Sequence, residues 1–122
     1  MTEQKANELF RKWAAILQLR YWDIRFQWCV RSRDMNLADS IGCTSFNHEN
    51  RQAIVQMLDP VDFESDLFEY DYEKTLVHEL LHLKFSDVDN SGDPLRDKMT
   101  HQLIDDLARA FVVAVHNFSL ID

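Results

Sequence analysis

The run His78-Glu79-Leu80-Leu81-His82 limits what this chain can fold into more than any other stretch. Two histidines four apart lie on one face of a helix, about 6 Å from each other, and suit two corners of a tetrahedral metal site. Glu79 stands roughly 100° round the helix from His78, where it can reach a water at that site without being a ligand. The pattern therefore asks for a central helix, and for a second element that brings at least one more ligand to it.

At 122 residues the chain is expected to form one domain spanning 1–122, long enough to bury about two thirds of its unfolded surface. A 46% hydrophobic content with eight Phe and three Trp supplies the material for a core. The net charge of −8 argues against a nucleic-acid partner, because phosphates are repelled. Seven of the 13 Lys and Arg nevertheless fall in the first 33 residues, and seven acids crowd between Asp59 and Glu73. The N-terminus runs into an amphipathic segment, with no leader-like or membrane-spanning run, so a cytoplasmic location without membrane association is expected. Cys29 and Cys43 are too few and too far apart for a zinc ribbon or redox pair. They read as buried free thiols in a reducing compartment, with a disulfide between adjacent strands as the alternative.

Periodicity divides the chain into six elements. Thr2 to Leu19 reads as a helix capped by Thr2, with Ala6, Leu9, Phe10, Trp13 and Leu17 forming its apolar stripe. The period then drops to two: Trp22, Ile24, Phe26, Trp28 and Val30 make one face of a strand. A polar loop precedes a second strand around Ala38 to Phe46, and Asn47 to Asn50 turn the chain into a third, Gln52 to Leu58. Short connections predict an antiparallel meander, with the third strand as its free edge. Pro60 to Tyr70 is acidic and aromatic, without a clear period. Asp71 caps the motif helix, Tyr72 to about Phe85, and Asp93-Pro94 starts a last helix that reaches about Phe118. Between these two helices, Asp87-x-Asp89-x-Ser91-Gly92 is a partial calcium-loop pattern. Lys98 occupies the position where a calcium loop needs a bidentate Glu, so the pattern is weak.

A catalytic zinc takes three protein ligands and leaves one position open. The extended motif with Gly and His further along is ruled out by Phe85 and Val88. On the last helix, His101 and Asp105 share a face with Ile104, Ala108, Phe111, Val112 and Val115, so both are expected to point inward. Polar groups on such a stripe are costly unless paired or metal-bound. His101 is the first choice for third ligand, with Asp105 orienting a ligand histidine through its far nitrogen; Asp105 as the ligand is the runner-up. His48 and His116 read as surface histidines. Tyr70 and Tyr72, near the start of the motif helix, are candidates for stabilising an oxyanion, although packing explains them as well.

With Thr75-Leu76-Val77-His78-Glu79-Leu80-Leu81-His82-Leu83 at its centre, the order of elements resembles the minimal zincin fold of gluzincin and SprT-like zinc metallopeptidases. The nearest likeness is to the small single-domain forms of phages and prophages. Tyr21-Trp22-Asp23-Ile24 and Leu103 to Ala110 extend it. The resemblance implies an α+β fold: an N-terminal helix, a mainly antiparallel three-stranded sheet, the motif helix and a ligand-bearing C-terminal helix. It also implies Zn2+ as cofactor, Glu79 as general base and a peptide or protein as substrate. In thermolysin-like gluzincins a glutamate ligand is followed four residues on by an aspartate that braces the first motif histidine; His101 and Asp105 match that spacing. His in place of Glu departs from that pattern and makes the set three-histidine, as in SprT-like proteins. Two other expectations compete: a zinc-loaded regulatory or interaction protein with little turnover, and a structural domain without metal.

Overall fold

The computed structural model describes residues 1–65, 67–89 and 91–121, the last four of them by backbone only. Helix α1 (Glu3–Ile16) is followed by strand β1 (Asp23–Val30), strands β2 (Gly42–Asn47) and β3 (Gln52–Leu58), and helices α2 (Tyr72–Lys84) and α3 (Pro94–Ile121). Single 3-10 turns at Ser32–Asp34 and Pro60–Asp62 punctuate the loops. The class is α+β, as expected.

The expected elements form with small shifts at their ends. Thr2 caps α1, its hydroxyl accepting from the Lys5 amide, but the helix stops at Ile16 because Gln18 turns into the left-handed region at φ 56°. β2 begins at Gly42 instead of Ala38, since Asp39 is also left-handed (φ 60°) and breaks the extended run.

The sheet is mixed, and this corrects the antiparallel meander. Strand order is β1-β3-β2: β3 pairs antiparallel with β2 but parallel with β1, from Asp23 opposite Gln52 to Val30 opposite Leu58. β3 is therefore the central strand, not the free edge. Its residues from Ala53 to Leu58 are almost all buried, the signature of a strand covered on both faces. The β1–β2 connection spans residues 31–41, which is ample to cross two strand spacings of about 4.8 Å each. The same order parts Cys29 on β1 from Cys43 on β2, and both are free thiols.

One face of the sheet carries Ile24, Phe26, Phe46, Ala53, Val55 and Met57 into the core with Trp13, Leu76, Leu80 and Ile104. α1 covers β1, where Phe10 stacks on Phe26 at 4.6 Å, and α2 crosses β2 and β3. α3 packs on α2 through the fully buried Ile104 and Ala108. A polar tie joins all three helices: the Trp13 indole N–H donates to Glu73 Oε2 at 2.8 Å, and Glu73 Oε1 meets His116 Nε2 at 2.6 Å. No described helix is long and apolar enough to cross a membrane.

Candidate metal centre

α2 starts at Asp71, whose carboxylate accepts from the Lys74 amide at 3.0 Å. From that start the helix turns His78 and His82 toward α3, with ring centroids 5.1 Å apart. Asp93 caps α3 by accepting from the amides of Leu95 and Arg96, and Pro94 fits the first turn because it has no N–H to satisfy. Two turns further on, His101 meets the other rings at 4.9 Å from His78 and 5.9 Å from His82.

One nitrogen from each of these three histidines lies within 4.8 Å of the others, so the set is close enough to hold a metal ion. Bonds of about 2.0–2.1 Å in a tetrahedral site require nitrogens roughly 3.4 Å apart. His101 has the rotational freedom to close that difference, because it is exposed; it rims an open cleft and does not point into the core as expected. Asp105 stands behind His78 instead of inside the cluster.

The outer nitrogens of the two helix α2 histidines are occupied. His78 Nδ1 lies 3.4 Å from Asp105 Oδ1, and His82 Nδ1 lies 2.5 Å from Asp89 Oδ2. A carboxylate on Nδ1 fixes the ring and leaves Nε2 as the free ligand atom, which is how proteins orient metal-binding histidines. Asp105 is itself held by Arg109 at 2.9 Å and Lys74 at 3.6 Å. Burial works against its ionisation, yet Lys74, Arg109 and His78 outweigh burial and keep its pKa below the usual carboxylate range. Burial foremost, then the neighbouring His82 and His101, push His78 down to about 4 despite Asp105. It is thus a neutral imidazole at neutral pH, the form a metal requires.

Glu79 is 7% exposed on the next face of α2. Burial raises its pKa, while His82 and a hydrogen bond from Thr44 pull the other way. The Thr44 hydroxyl has two acceptors, Glu79 Oε1 at 2.8 Å and the Glu79 carbonyl at 3.0 Å. β2 can come this near only at a glycine: a Cβ on Gly42 would stand 2.8 Å from Glu79 Cγ. Gly42, Thr44, Glu79, the three histidines, Asp89 and Asp105 all line one cleft of about 690 Å3.

The remaining candidates lie outside it. Tyr70 and Tyr72 donate to the carbonyls of Leu58 and Trp28 and stack on each other, so they brace strand ends. His48 is exposed, with Ser86 Oγ and Asp87 Oδ1 each at 2.8 Å, and the exposed His116 holds Glu73. The calcium-loop acids are thereby distributed to histidines, Asp87 to His48 and Asp89 to His82. Sequence reasoning placed Asp89 only in a weak calcium-loop pattern and did not find Thr44, Gly42 or Lys74. Only Lys74 left a signal, at helical spacing one turn before His78.

Comparison with protein-family models, with curated proteins and with solved structures gives no match.

Proposed function

We propose that this chain is a zinc-dependent metallopeptidase of the minimal zincin type. The observation that carries the reading is the pairing of two carboxylates, Asp105 and Asp89, with the outer nitrogens of His78 and His82, while His101 and the carboxylate of Glu79 face the same cleft. His48 and His116 also pair with carboxylates, but only His78 and His82 are held so beside each other and beside a third imidazole, and that convergence favours a metal. Three imidazoles without a thiolate suit zinc. When bound, zinc supplies a Lewis acid for the substrate carbonyl and lowers the pKa of its water towards about 7.

The chain's own residues supply the rest. Glu79 takes the proton of the attacking water and hands it to the leaving amine. The buried setting that raises its pKa makes it a better proton acceptor than an exposed glutamate. Thr44 holds its carboxylate by a hydrogen bond, and Gly42 leaves room for its side chain. β2, bordered on one side by β3 and on the other by the cleft, offers an edge on which an extended peptide can pair by its backbone.

Metal analysis of protein purified without chelator tests the first half: about one zinc per chain is expected, and His101→Ala should lose most of it. Incubation of the zinc-loaded protein with a mixed peptide library tests the second. Glu79→Gln should keep the metal and abolish cleavage. Zinc retained by a wild-type protein that cleaves nothing would favour the zinc-binding regulatory reading, and absence of zinc would remove both.

A further inference from the structure

The segment between β1 and β2 makes a strap along the cleft, and of its large apolar side chains Met35 is half-buried while two are left in solvent: Leu37 is 59% and Ile41 42% exposed, and both line the same cleft as Glu79. The strap is tied down along its length. The Asn36 amide donates to Gln56 Oε1 at 2.7 Å, the Ser40 hydroxyl to the Leu37 carbonyl at 2.7 Å, and the Leu58 amide to the Ile41 carbonyl at 3.0 Å. Exposed apolar groups on a fixed support, facing a cleft, form a prebuilt contact surface.

Strand geometry says which part of a substrate they meet. Gly42 and Thr44 approach Glu79, so Ile41 and Cys43, one residue out of step, belong to the sheet face turned away from α2. The strap lies on that face too, since Asn36 is held by Gln56, whose neighbours Val55 and Met57 point into the core. A peptide paired with β2 sends alternate side chains to the two faces. Those on the α2 side pass the histidines, and those on the other side pass Leu37 and Ile41. Asp39, Asp89, Asp105 and Glu79 also line the cleft, against Lys74 as its one lysine or arginine, so an acidic side chain is disfavoured.

We infer that Leu37 and Ile41 form a specificity subsite that selects peptides with a large aliphatic or aromatic side chain on the strand face away from the metal. The inference rests on the peptidase reading, and it concerns which peptides bind, not whether they are cut.

Two measurements separate these questions. Zinc-loaded Glu79→Gln protein is titrated with extended peptides that differ at single positions between Leu, Ser and Asp. One position should favour Leu over Asp by about 10-fold or more, as expected for an apolar contact. The double variant Leu37→Asp/Ile41→Asp, built in the same background and shown by zinc content to be folded, should lose or reverse that preference. Wild-type protein is then scored for cleavage of the same peptides. Equal binding of all peptides, or a preference that survives in the double variant, overturns the subsite even if cleavage occurs. Selective binding without cleavage supports the subsite and removes the peptidase.

Discussion

Asp89 and Asp105 lie outside the three-histidine cluster, yet each holds the ring of one of its members. Replacing either by alanine should weaken zinc affinity about 10–100-fold, read by competition with a chromogenic chelator. Gly42 acts differently. Gly42→Ala puts a methyl group into the side chain of Glu79, so turnover should fall while zinc stays bound. Thr44→Val should do the same, and Thr44→Ser, which keeps the hydroxyl, should restore it. His101 lies beside His78 and His82, but from an exposed position and not from the inward face that the sequence predicts for it. Asp89 was not legible as a histidine partner. It reaches His82 because the chain folds back after α2, the amides of Val88 and Asp89 both donating to the Phe85 carbonyl. No spacing rule along a helix describes a side chain delivered by such a turn.

Among the elements, α2 was the most legible, from its Asp71 cap to its C-terminal turn, because capping and periodicity are local properties. Strand pairing is not local. Alternation in β1 marks its inner face correctly but says nothing about direction or neighbour, and the parallel pairing with β3 arises from a loop that crosses the sheet. Apolar residues on both faces of Ala53–Leu58 were the available sign that β3 lies in the middle, and the structure buries that stretch almost throughout. Packing between α2 and α3 also matters for function, since α3 carries His101. Ile104→Ala opens a cavity at this contact and should cost about 2–5 kcal/mol in chemical denaturation. It should weaken zinc binding as well, and saturating zinc should recover part of the lost stability, because a ligand for the folded state alone stabilises it.

For the molecule as a whole, the burial of His78 and Glu79 makes stability depend on pH. His78 has a folded pKa of about 4 against 6.5 for an ordinary histidine, so between those values the unfolded chain binds more protons than the folded one. Its contribution therefore favours folding above pH 6.5 and is lost as the pH falls towards 4. Glu79 works in the opposite sense, its raised pKa making folding less favourable once the pH exceeds the ordinary glutamate value. The two effects overlap in pH, so a substitution at His78 isolates its share. In metal-free protein, the melting temperature of His78→Gln relative to wild type should be higher at pH 5 than at pH 7, because the variant lacks the group whose protonation opposes folding. A difference between variant and wild type that does not change with pH would contradict the assigned burial of His78.

The unpaired margin of β2 has one more consequence. Its sequence, Gly42-Cys43-Thr44-Ser45-Phe46-Asn47, contains none of the lysines or prolines that discourage strands from joining. Two copies meeting there would zip together through their main chains, each plugging the other's opening. On the peptidase reading, specific activity should then decline as protein concentration rises and recover on dilution.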